Sequence, residues 1–255
     1  MTEETATLLK TLAQRYETRD FIDGDPSWYM HQMHDDANRE AMAFLASCFS
    51  YGSRKQFMSK LDLILSWAQH DICNWIASGA YEHHFAIDDN SSFYRLNSHG
   101  SVRVFLDSYR LLMDHYGSLG AYVRQHACDG ISAIGAITAY FDKHGSGGLV
   151  PKNTQSACKR ICMFLRWMVR HSSPVDLGLW SAFVDRRTLI MPLDTHVLSQ
   201  SVALGLLSCS SASMAAACRL TASMREVFPD DPLLGDFALF GYGIANKYNN
   251  YNVLI

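Results

Sequence analysis

The order of apolar and polar positions predicts helices along most of the chain. Leu8, Leu9 and Leu12 recur at helical spacing within 2–16, and Glu3 and Glu4 stand in the first turn, where negative charge suits the helix dipole. The same period recurs over 38–49 and 53–70, broken at Tyr51-Gly52, then over 71–78, 101–116, 119–126 and 130–144. Gly, Pro and Asp mark 21–36 as an irregular loop, and 81–90 is polar loop. Beyond a Gly- and Pro-punctuated connection over 145–151, residues 156–170 form an amphipathic helix. Ile161, Phe164, Leu165 and Met168 fall on one side, and Lys159, Met163, Arg166 and Arg170 share the other, so a buried face is expected opposite an electropositive one. A short helical turn is predicted over 176–180 and an extended crossing over 186–192. Helices are predicted over 194–206 and 210–228, with Asp231-Pro232 opening the last one. No alternating run is long enough for a sheet, and the predicted fold class is all-α.

Composition narrows the function. A chain of 255 residues holds one large or two small domains, and 48% hydrophobic with 18% charged residues is ordinary for a folded protein. The formal net charge of −3 disfavours a broadly basic, DNA-coating protein. Charge is nevertheless concentrated locally: 143–175 contains Lys143, Lys152, Lys159, Arg160, Arg166 and Arg170 and no Asp or Glu, which suffices for phosphate contacts. No uncharged apolar run approaches about eighteen residues, and the N-terminus has no signal-peptide core, so a cytoplasmic protein without a membrane partner is expected. Seven Cys without framework spacing suit reduced thiols. Cys158 and Cys162 lack a second ligand pair, and neither metal nor cofactor is expected.

Lys159 near the start of its helix, and Asp194 in Pro192-Leu193-Asp194-Thr195-His196-Val197 at the start of a later one, carry a resemblance. A turn, a helix with a Lys in its first turn and then P-x-D-x-H-V resembles the layout of the helix-hairpin-helix DNA glycosylase superfamily. The 35 positions from Lys159 to Asp194 are similar to the archaeal oxidised-guanine glycosylase branch, whose connection is longer than in its relatives. Nearly the whole chain also resembles an uncharacterised bacterial family that shares Ser156 to Arg160, Phe164 to Arg170 and Pro192 to His196. The hairpin departs from the usual L-P-G-x-G, since Leu149 to Thr154 contains no Gly, although Gly145, Gly147 and Gly148 lie just upstream.

The resemblance implies a two-lobed helical fold with a helix-hairpin-helix element. One lobe would span about 100–205, the other about 1–99 plus 206–255, with the site in the cleft between them. It implies base-excision DNA repair by a monomer acting on double-stranded DNA with a damaged base, 8-oxoguanine above all. Lys159 would attack the sugar as a free amine, and Asp194 would balance the oxocarbenium charge and accept a proton. The Schiff base that results permits strand cleavage, hence glycosylase and abasic-site lyase activity. Asp236 and Phe240, one turn apart on a late helix, match the branch's base-holding pair. Trp28, Trp167 and Tyr51 are candidate stacking residues for the extruded base. Lys152, Asn153 and Arg166 are the candidate phosphate contacts. His196 is expected to cap or pack. Two other readings compete: a non-catalytic, damage-sensing DNA-binding protein, and a metal-dependent phosphohydrolase built on His34-Asp35-Asp36, His83-His84 and Asp194-Thr195-His196.

Overall fold

The computed structural model describes residues 1–209 and 211–247. The described chain is predominantly helical, as the apolar pattern predicts. Helices α1 (Glu3–Tyr16), α2 (Trp28–His31), α3 (Asp36–Phe49), α4 (Arg54–Trp67) and α5 (Ile72–Ala77) precede an antiparallel hairpin of β1 (Ser92–Tyr94) and β2 (Asn97–Ser98). Then follow α6 (His99–Tyr116), α7 (Leu119–His126), α8 (Gly130–His144), α9 (Lys159–Val169), α10 (Thr195–Ala203), α11 (Met214–Val227) and α12 (Leu234–Lys247). Among the described residues no helix is long and apolar enough to cross a membrane. The hairpin is the one addition to the all-α expectation, since strands of three and two residues are too short to show alternation.

Helix starts follow local capping chemistry. The side chains of Thr2, Asp35, Asp71, Ser98, Ser118, Asp194 and Ser213 each accept a backbone N–H of the helix they precede. The expected start of α11 at Ser210 lies outside the described residues.

The chain divides into two compact units. One comprises Met1–Asp23, Asp129–Ile131 and the chain from Thr154 on; the other comprises Gly24–Cys128 and Ser132–Asn153. These boundaries differ from the expected ones near 100 and 206 for a physical reason. α1 packs along α12, and Ser156, just before α9, bridges to Ser213, just before α11.

In the first unit α12 is the helix the others close upon. A Cβ on Gly241 would enter the ring of Tyr16 of α1, one on Gly235 would strike Met224 of α11, and one on Gly243 would stand 2.7 Å from His196 Nε2 of α10. Three neighbours therefore approach the backbone of α12 where it has no side chain. In the second unit Phe44 of α3 is fully buried against the rings of Phe105, Tyr109 and Phe141. Buried Glu40 accepts the Gly120 N–H at 3.1 Å and satisfies a first-turn donor of α7.

Helix α9 is shorter than its pattern. Ser156 is held in the bridge to Ser213, and Cys158 takes a left-handed φ of 47°, so helical backbone begins at Lys159. At the other end, the N–H groups of Leu177 and Gly178 donate to the carbonyl of Trp167, and that of Trp180 donates to Met168. These bonds satisfy the last carbonyls of α9. They also replace the helical turn expected at 176–180, because that backbone is committed to α9.

Candidate functional site

Lys159 and Asp194 come together in the first unit. Lys159 Nζ lies 3.8 Å from Asp194 Oδ2, and the side chains are 29% and 40% exposed. Asp194 is fixed by its own helix, since Oδ1 accepts the N–H of His196 and of Val197, each at 2.9 Å. One carboxylate oxygen thus caps α10 while the other faces the Lys. Lys159 occupies the first position of α9, where the helix dipole disfavours a cation by about 0.3–1 kcal/mol. The nearby carboxylate offsets that cost. An exposed pair of this kind contributes about 0–1 kcal/mol to stability, and Asp194 holds its place chiefly as the cap of α10. Cys158, next to Lys159, is in left-handed backbone, which costs a non-Gly residue roughly 1–2 kcal/mol.

Behind this pair lies a buried ionic network. Arg166 Nε donates to Asp176 at 3.2 Å, and its Nη1 bonds Asp236. Arg170 Nε lies 2.9 Å from Asp231 Oδ1, its Nη2 lies 2.7 Å from Glu17 Oε1, and its Nη1 bonds the other oxygen of Asp176. The side chain of Asp176 is wholly buried, and Arg166 and Arg170 are 2% and 1% exposed. Both guanidinium groups also lie over the ring of Phe237. Burial raises the carboxyl of Asp176 above its usual range, opposed by Arg166 and Arg170. It likewise raises Asp236, opposed by Arg166 and then Lys159, with Asp194 acting in the same sense as burial. The network ends in an open cleft of about 360 Å³ lined in part by Glu17, Arg170, His171, Arg186 and Asp231. This cleft is at the far end of α9 from Lys159, about 16 Å along the helix.

The electropositive face expected on α9 is corrected by this arrangement. Arg166 and Arg170 are neutralised by carboxylates supplied from elsewhere in the unit. Arg166 as a phosphate contact is corrected for the same reason, because its donors are engaged inside the unit. Trp167 as a stacking residue is corrected too. It is fully buried, and its indole nitrogen has no hydrogen-bond partner among the described residues. Asp236 and Phe240 do share one face of α12, and Asp236 bonds Arg166. Phe240 packs edge-on against Phe21 at 4.9 Å and Tyr16 at 5.9 Å, and remains partly exposed. Trp28, Tyr51, Lys152 and Asn153 belong to the other unit. Trp28 is partly exposed with its ring edge-on to Tyr29, and Lys152 and Asn153 are exposed. His196 packs over Gly243, as expected of a packing residue.

Three members of the network, Glu17, Asp176 and Asp231, were not singled out by pattern. The available signal was the Arg166/Arg170 pair, one turn apart on a helix otherwise dense in apolar residues. Cys158 and Cys162 are buried free thiols, each raised above the usual thiol range by burial. Among the described residues no three His, Cys, Asp or Glu side chains stand where they could hold a metal ion. Of the segments considered for a metal centre, Asp35 and Asp194 cap helices and His84 stacks on Trp67.

No curated protein and no solved structure matches the chain. A family model described as a protein of unknown function (DUF2400) matches residues 25–245, and the chain belongs to that family.

Proposed function

We propose that the protein is a base-excision DNA glycosylase with abasic-site lyase activity, of the helix-hairpin-helix superfamily, with an oxidised purine, 8-oxoguanine above all, as its target. The observation that carries this reading is the 3.8 Å approach of Lys159 Nζ to Asp194 Oδ2, both accessible, with Asp194 immobilised as a helix cap. A primary amine beside a fixed carboxylate is the pair that attack on a sugar carbon requires. As the bond from C1′ to the base breaks, its electron pair leaves with the base. Asp194 balances the positive charge that develops on the sugar. The Lys159 nitrogen bonds C1′ and loses a proton to Asp194. The ring opens as O4′ takes back the proton held by Asp194, giving a protonated Schiff base, whose cation promotes loss of the C2′ proton to water and departure of the 3′ phosphate. Asp236 and Phe240, in the same unit as Lys159, are the residues assigned to the extruded base.

Trapping tests it. Protein incubated with a duplex carrying one 8-oxoguanine and reduced with borohydride yields a covalent adduct, which Lys159→Ala abolishes. A second reading, a DNA-binding protein without turnover, is favoured by one observation. Burial of Arg166 and Trp167 removes two of the contacts expected for substrate. Duplex binding without an adduct on 8-oxoguanine, abasic or other damaged duplexes would select it.

A further inference from the structure

The β1–β2 hairpin presents the most exposed large apolar side chain among the described residues. Leu96 is 95% exposed, at the second position of the two-residue turn Arg95-Leu96. Arg95 takes a φ of 52°, a left-handed backbone that ordinarily selects Gly, Asn or Asp. The turn therefore maintains a strained residue and a solvated Leu together, where ordinary turn residues would form it at no cost.

The base of the hairpin is rigid. The Tyr51 hydroxyl bonds Asn97 Oδ1, the Tyr94 hydroxyl bonds the Tyr51 carbonyl, and Asn97 Nδ2 donates to the Gly147 carbonyl at 2.6 Å. Ser92 Oγ donates to the Arg95 carbonyl at 2.9 Å. Phe93 and Tyr94 are buried. Motion at the root is thus restrained and the tip projects into solvent.

The surroundings are cationic. Arg95 lies over Gly52, where any Cβ would strike its side chain, and Arg54 and Lys55 follow as exposed residues opening α4. Lys60 of α4 stands 4.8 Å over the ring of Phe93. Residues 51–61 and 90–98 contain these four cations and no Asp or Glu, and the acids that flank them, Asp62, Asp88 and Asp89, lie toward the root of the hairpin and not at its turn. The hydrogen bond from Asn97 to Gly147 sets the same hairpin against the turn that leads to Lys152. A lone apolar tip among cations is a poor protein-docking surface, which needs a contiguous apolar patch. It fits a polyanion with an apolar interior.

We propose that the β1–β2 hairpin is a wedge for double-stranded DNA, in which Leu96 inserts between stacked bases while Arg54, Lys55 and Arg95 hold the flanking phosphates. Apolar side chains inserted at a base step unstack it and kink the duplex. The wedge shares a DNA partner with the proposed function but does not depend on Lys159 chemistry.

The test uses the full chain and a DNA duplex with a central 2-aminopurine, read by anisotropy for binding and by base fluorescence for unstacking. Binding by the parent raises 2-aminopurine fluorescence. Leu96→Gln, at a solvated position that leaves the melting curve unchanged, binds several-fold more weakly and loses the fluorescence rise, and Leu96→Phe restores it. Arg54→Ala and Lys55→Ala each lower the slope of log affinity against log salt by about one, which Leu96→Gln does not. Equal affinity and equal fluorescence for the parent and Leu96→Gln would overturn the wedge, as would absence of duplex binding. A wedge response from a protein with no borohydride adduct leaves this proposal standing and removes the glycosylase reading. An adduct with no Leu96 dependence does the reverse.

Discussion

Arg170 Nη2 donates to Glu17 Oε1 at 2.7 Å, joining the residue that ends α1 to the residue that ends α9. The same guanidinium holds Asp231 and Asp176, so one side chain ties the N-terminal helix, α9 and the approach to α12. Removing one partner of a buried pair leaves uncompensated charge, which typically costs about 3–5 kcal/mol. Arg170→Met, which keeps much of the volume, should lose that amount in urea unfolding. A loss below about 1 kcal/mol would mean the carboxylates find other partners.

Asp236 gives the network a defined pH dependence. Burial raises its carboxyl in the folded state, so the native protein holds this proton more tightly than the unfolded chain does. The contribution is fully present below the unfolded value of about 3.9 and is lost as pH rises through the folded value. Asp236→Asn removes the titration. The stability gap between parent and Asp236→Asn should therefore narrow as pH rises above about 4. A gap that widens over that range would contradict a raised carboxyl.

Two helical glycines predict opposite outcomes for one substitution. Gly241 admits the Tyr16 ring, and Gly135 of α8 has nothing within 4 Å of an added Cβ. Gly135→Ala should stabilise by about 0.5–1 kcal/mol through helix propensity alone. Gly241→Ala gains the same propensity but overpacks the α1 and α12 seam, which costs about 1–3 kcal/mol, and the clash wins. Thermal melts of both variants decide this. Equal shifts of one sign would show that Tyr16 moves aside.

Asp194 has two tasks that one pair of substitutions separates. Asn retains a side-chain oxygen for the N–H groups of His196 and Val197, whereas Ala does not. Asp194→Ala should cost about 1 kcal/mol of stability and Asp194→Asn much less. Both should lose base excision, because both remove the anion. Retained excision in Asp194→Asn would reduce Asp194 to a helix cap.

Much of the helical order was legible because its signals are local. The starts of α7 and α8 fall at Leu119 and Gly130, where the apolar period begins, and Asp194 reads as a cap from its neighbours alone. The polar face of α9 departs from its helical wheel for a physical reason. A helical wheel assigns cations to solvent, but the carboxylates that bury Arg166 lie ten and seventy positions away. The strained backbone at Cys158 and Arg95 left no trace either, since neither residue type favours left-handed φ. The hairpin was too short to alternate.

The central claim is that Lys159 is a nucleophile, and covalent trapping addresses it most directly. Incubated with an 8-oxoguanine duplex and reduced with borohydride, the parent protein should migrate as a protein–DNA adduct, and Lys159→Ala should not. No adduct from the parent on 8-oxoguanine, abasic or other damaged duplexes, or an adduct that survives in Lys159→Ala, would contradict the account.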